Sequence, residues 1–274
     1  MKQLRLVLLG LAACLVLLLG GRLIYDASRP TGPLIPEIQT ENKPDKTPPQ
    51  STLPPEQAIV RAALEREIAD LPDYARFFDR LKLTLPGDYE TIFNGFAART
   101  ERPNADAMVA ETVKSLRQTR GIMAAKSTGA SLDRIFEMQA KVAKALSVND
   151  TRLCVDFLYG GASEGFHAFS AKNRGLVADM ALAGMDAIVE GGQAKIERKP
   201  PSDADFALLE KALLDKGLEK AEIDALLDGK TPDPPIEASR MCTAGQIYLE
   251  TLRNLPDAER SRIYGLAVEL MARS

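Results

Sequence analysis

The chain contains one histidine, His167, and that alone narrows its chemistry. A multi-histidine zinc site cannot form within one chain, no H-E-x-x-H is present, and a cysteine-rich zinc site would need more than Cys154 and Cys242. Any Ser-His-acid arrangement would have to use His167. Ser163 lies four residues before it, inside Gly161-Ala162-Ser163-Glu164-Gly165. We expect the spacing around Ser163 not to build a nucleophile elbow. The glycines from Gly160 to Gly165 also lack the G-K-[ST] ending of a phosphate loop. What remains is one candidate segment, Gly160 to Ser170, in which Glu164 and His167 stand beside Phe166 and Phe169. A carboxylate buried among aromatic rings can act as a general acid. On a fold-level analogy with helical glycan-cleaving enzymes, that would make the chain an envelope hydrolase. The plainer expectation is a glycine-rich junction where two helix backbones approach closely. We therefore expect no catalytic residue, metal or cofactor, with Glu164 and His167 as the candidates to test.

Other chemistry-bearing residues read more simply. Asp203 and Asp205 suit a helix N-terminus, and Asp224 with Asp228 a solvated face; neither pair has the spacing of a calcium loop. Met108, Met123, Met138, Met180, Met185, Met241 and Met271 are scattered along the chain and read as core filler. Cys154 and Cys242 are the two cysteines outside the first 25 residues. In an exported domain two such cysteines suggest one disulfide, the alternative being two buried free thiols.

Export is suggested by the start of the chain. Leu6 to Gly21 carries no charge, and extending the run to Tyr25 gives 20 residues, with Arg22 reaching toward the headgroups. About 20 apolar residues cross a hydrocarbon core of roughly 30 Å. The segment 6–25 is therefore expected to be a transmembrane signal-anchor, with residues 1–5 cytoplasmic. Lys2 and Arg5 on one flank face Arg22 and Arg29 on the other, so the charge rule for orientation is nearly level. The N-terminal amine tips it toward a large domain on the periplasmic side of the inner membrane. Leu11-Ala12-Ala13-Cys14 resembles a bacterial lipobox, which would make Cys14 a lipidation site and the chain a lipoprotein. The apolar residues after Cys14 argue against that, and Leu19-Gly20-Gly21 is a poor cleavage site for an ordinary signal peptide.

Residues 26–55 form a Pro-rich linker with eight prolines and no aromatic residue, unable to bury a core. Residues 56–274 are expected to form one soluble helical domain. Their 29 basic and 34 acidic residues are mixed, without a basic block, which argues against nucleic-acid binding.

Helical signals fill the domain. Pro54-Pro55-Glu56 opens a first helix and Pro72 ends it. Tyr74, Phe77, Phe78 and Leu81 line a second, and Tyr89, Ile92, Phe93 and Phe96 a third after the Pro86-Gly87-Asp88 break. Asn104 reads as the N-cap of a long helix reaching about Lys126, and Ser131 marks the start of the clearest amphipathic stripe, through Leu146. Asp150 caps a short apolar segment, the glycine-rich run interrupts the pattern, and a helix from Lys172 to Glu190 ends at Gly191-Gly192. Ser202, Lys220, Met241 and Pro256 begin or fall in four further helices, with Gly217 and the Thr231–Pro235 turn as breaks. No segment alternates with period two, and no fixed repeat is evident. The expected fold is all-α, an irregular multi-helix (orthogonal) bundle. The expected function is partner binding by a membrane-anchored exported domain, the partner being an envelope protein or polymer. A cytosol-facing adaptor would require the inverted orientation.

Overall fold

The computed structural model describes residues 53–160 and 163–273. The expected anchor Leu6–Tyr25, Cys14 and the linker as far as residue 52 lie outside the described residues. Among the described residues no helix is long and apolar enough to cross a membrane.

The described residues form twelve α-helices and no strand. Three begin with proline at the first helical positions: α1 (Pro55–Ala69), α2 (Pro72–Thr84) and α3 (Pro86–Ala97). There the missing N–H costs nothing and the fixed φ suits the helix. Next come α4 (Ala105–Ala124) and α5 (Gly129–Asn149). The Asn104 side chain accepts from the Ala107 N–H at 2.9 Å, satisfying one of the free donors at the start of α4. Helix α5 starts earlier than Ser131 suggests, because Thr128 is the residue that caps it, its Oγ1 accepting from the Ser131 N–H.

The second half holds α6 (Thr151–Leu158), α7 (Glu164–Lys172), α8 (Arg174–Ala194), α9 (Asp203–Asp215), α10 (Lys220–Asp228), α11 (Ala238–Arg253) and α12 (Asp257–Arg273). Asp150 caps α6 as expected, its carboxylate accepting from the Arg152 N–H at 2.8 Å. Ser202 and Asp205 close a reciprocal capping box on α9. The Thr231–Pro235 turn contains a cis peptide bond between Asp233 and Pro234.

Two expectations fail here. The glycine-rich run does not stay irregular, since Glu164 to Lys172 forms α7 and seats Phe169 in the core. Gly191-Gly192 does not end the long helix either; α8 continues to Ala194 and closes on Lys195 in a left-handed conformation, φ 49°. The reason lies in packing. A Cβ on Gly191 would stand 1.8 Å from the Met123 carbonyl oxygen, so this glycine is where α8 and the end of α4 touch backbone to backbone.

Helix α8 is central, packed against α4, α5 and α2, while α12 lies on α4 and α11 on α5 and α6. The first three helices bring an aromatic cluster to the core, with Phe78 edge-on to Phe77 and Phe93 at 5.1 and 5.2 Å between centroids. At the other end Phe136 of α5 stacks on Tyr264 of α12 at 3.9 Å. Met108, Met138, Met185 and Met241 are buried, while Met123 is exposed. The segment after α8 turns back over the end of α4. Ile196 donates its N–H to the Lys126 carbonyl at 3.0 Å. Arg198 donates to the carbonyls of Ala125 (2.6 Å) and Ser127 and to Ser261 Oγ, placing a cation on the negative end of α4.

Candidate functional site

The two candidate residues part company in the structure. Glu164 is exposed in the first turn of α7, a position that complements the helix dipole. His167, one turn later, is half-buried and faces a polar cluster built by three other helices. Ser163 precedes α7 as its N-cap residue, without a side-chain cap bond. The letters Gly161 to Gly165 do spell G-x-S-x-G, but among the described residues the element before them is helix α6, not the strand that leads into a nucleophile elbow. The aromatic residues of the segment stack among themselves: Phe157 lies parallel to Phe166 at 5.8 Å, and Phe166 tilts against Phe169 at 6.0 Å. They do not enclose Glu164.

The cluster beside His167 centres on Asp106, in the first turn of α4. Its Oδ1 accepts from the Tyr74 hydroxyl at 2.6 Å and from Arg174 Nε at 3.2 Å, and its Oδ2 from the other arm of the same guanidinium at 3.0 Å. Arg174 also lies over the Tyr74 ring, 5.9 Å from its centroid. Partial burial opposes ionisation of Asp106. The donated bonds from Arg174 and Tyr74, with the charge of His167, more than offset it, and the carboxyl is held below its ordinary range. Tyr74 is fully buried, and burial together with the adjacent carboxylate pushes its hydroxyl far up. An acid kept ionised and a phenol kept neutral is the opposite of what a general acid and a nucleophile need. The cluster ties α2, α4 and α8 together.

Sequence reasoning missed Tyr74, Asp106 and Arg174 as partners. Tyr74 reads as one of an aromatic stripe and Asp106 as a dipole residue behind Asn104, and neither carries a sign of the other. A second network behaves alike. Arg61 on α1 donates to Glu65 (3.1 Å), to both oxygens of Glu90 (2.5 and 2.8 Å) and to Asn94 (2.6 Å), above the rings of Tyr89 and Phe93. The bond from Arg61 is the main reason the Glu90 carboxyl sits below its ordinary range. Asp224 and Asp228, expected on a solvated face, are half-buried and paired with Lys220 and Lys230. Among the described residues no group of three His, Cys, Asp or Glu could hold a metal ion.

The structure joins Cys154 of α6 to Cys242 of α11, with Cα atoms 5.7 Å apart and a sequence separation of 88. Both are buried. A surface hollow of about 450 Å³ lies elsewhere, between the ends of α4 and α12, lined by Gln118, Thr119, Gly121, Ile122, Ala272 and Arg273. Comparison with family models, curated proteins and solved structures gives no match to this chain.

Proposed function

We propose that the chain is a membrane-anchored domain held on the extracytoplasmic side, where it binds an envelope protein or polymer. The observation that carries this reading is the buried Cys154–Cys242 disulfide in a chain whose residues 6–21 are uncharged and apolar. Structural disulfides persist in oxidising compartments and are rare in the cytosol. The eight prolines from 26 to 55 support a tether, since an extended linker lets a compact module search a volume near its anchor. Binding is favoured over catalysis because Asp106 is held ionised by its donors and Glu164 stands in solvent, away from the stacked aromatic rings.

Phosphatase fusions placed after residue 60 and at the C-terminus test the topology. Activity at both positions is the expected result, and reporters active only in the cytosol would overturn the export reading. Crosslinking in the native host then identifies the partner. Under this reading Cys14→Ser leaves membrane attachment unchanged; detachment would instead favour the lipoprotein suggested by Leu11-Ala12-Ala13-Cys14.

A further inference from the structure

We propose that the junction where α4 and α8 end is a docking patch for an anionic membrane surface. Two separate stretches meet there, residues 117–126 and 195–199. Together they hold six basic residues and one acidic, whereas the rest of residues 56–274 holds 23 basic and 33 acidic. The sequence shows no basic block because the fold assembles one. Ile196 donates its N–H to the Lys126 carbonyl, Arg198 donates to the carbonyls of Ala125 and Ser127, and Lys126 pairs with Glu197 at 2.6 Å.

The same junction exposes three large apolar side chains. Ile122 and Met123, near the end of α4, are 40% and 39% exposed, and Ile196, just beyond α8, is 36% exposed. One exposed aliphatic residue needs no explanation, but several beside a concentration of positive charge mark an interaction surface.

Not every cation here serves the fold. Arg198 already covers the carbonyls at the end of α4, and Arg120 pairs with Asp88. Lys195 and Lys199 are exposed and make no ion pair among the described residues. Lys195 also holds φ 49°, a conformation that favours glycine. A lysine there works against the fold and points to a role outside it.

Aliphatic tips among lysines and arginines suit a bilayer with anionic headgroups. The tips enter the boundary between headgroups and acyl chains, and the cations meet the phosphates. A bilayer asks no matching shape of the protein, which suits side chains standing at a helix end and a turn. The patch consists wholly of described residues. The anchor reading adds only that a bilayer lies within reach, and the test separates the two.

The full chain is mixed with vesicles of phosphatidylcholine, or of phosphatidylcholine with phosphatidylglycerol. Lysine acylation and methionine oxidation are then followed by mass spectrometry. Anionic lipid should raise the docked-to-free ratio about 25-fold, roughly fivefold for each of the two unpaired lysines. Modification of Lys195, Lys199 and Met123 should therefore slow on anionic vesicles, and about 0.5 M salt should restore it. Lys144 on α5 and Lys172 on α7, both exposed, should keep their rates. Equal rates at the patch on both vesicles, or equal slowing at all lysines, would overturn the proposal. Lys195→Gly should stabilise the fold yet weaken docking about fivefold, a combination that a merely structural lysine would not give. Ile122→Ser/Ile196→Ser should keep the helical circular dichroism and lose the protection of Met123. Unchanged slowing in both variants would remove the patch. Flotation reads the anchor independently. Flotation with anionic vesicles alone supports docking and overturns the anchor, and flotation with neither overturns both.

Discussion

Replacing Gly191 by alanine should destabilise this protein, although the same change in most helices does the reverse. In a helix interior alanine is favoured over glycine by about 1 kcal/mol, because glycine loses more backbone freedom on folding. At Gly191 the added Cβ would lie 1.8 Å from the Met123 carbonyl oxygen, 2.7 Å from its carbonyl carbon and 3.0 Å from the Ser127 nitrogen. These are backbone atoms, which no rotamer change can move aside. A carbon and an oxygen out of bonding contact need about 3.2 Å, so α8 and the end of α4 must part by more than about 1 Å. That separation strains the Ile196-to-Lys126 backbone bond and the contact of Glu190 with the Thr128 N–H and hydroxyl, which close the same junction. Overpacking of this kind costs about 1–3 kcal/mol, and a weakened hydrogen bond about 1 kcal/mol more. With the propensity gain subtracted, Gly191→Ala should lose about 1–3 kcal/mol. The control sits on the same helix: a Cβ on Gly184 meets nothing within 4 Å, so Gly184→Ala should gain about 0.5–1 kcal/mol. Urea denaturation followed by circular dichroism measures both. If the two variants move stability in the same direction, the close approach of α8 to α4 described here is wrong.

Three further predictions follow from other junctions. Gly245→Ala meets the Leu158 side chain rather than backbone, so it should cost only about 1–2 kcal/mol, and adding Leu158→Ala should relieve part of that; a double-mutant cycle showing no coupling would remove the contact. Lys195→Gly should raise stability by about 1 kcal/mol, read as a higher Tm, because Lys195 holds φ 49° at the end of α8, where a side chain is unfavourable. Asp205 accepts from Arg262, chiefly, and from the Ser202 N–H and hydroxyl, and is held far below the ordinary carboxylate range despite its burial. Its folded pKa is depressed, so its contribution is complete above the unfolded value near 3.9 and is lost as pH falls below that. Acid titration of stability should therefore be shallower below about pH 4 in Asp205→Asn than in the parent, and identical acid limbs would contradict the assignment.

Local signals account for much of what could be read before the structure. Pro55, Pro72 and Pro86 each open a helix, and Asn104, Asp150 and Ser202 each cap one, because a missing N–H or a short acceptor side chain acts on backbone groups within three residues. The aromatic stripe Tyr74, Phe77, Phe78 and Leu81 is buried along its length, as its helical spacing implies. The cysteines expected to pair are joined in the structure, an inference that needed only their number and the assumption of export. Glycine misled twice. Its low helix propensity suggested breaks at Gly160 to Ser170 and at Gly191, yet α7 forms and α8 runs on, because packing against neighbouring helices outweighs a propensity of about 1 kcal/mol per glycine.

The candidate site shows the division most clearly. From the sequence, Glu164 and His167 are a pair one turn apart with aromatics beside them. In the structure Glu164 faces solvent, and His167 adjoins an Asp106 whose partners come from α2 and α8. Asp106 and Arg174 are 68 residues apart and Asp205 and Arg262 57 apart, distances over which sequence periodicity carries no information. The sequence by itself determined that the chain from Pro55 onward is helical, where most helices begin, and that stripes such as Tyr74 to Leu81 face inward, because those are matters of local backbone chemistry and apolar spacing. Only the tertiary structure decided which charges meet and which glycine lies against a carbonyl, because each depends on two helices arriving at the same place.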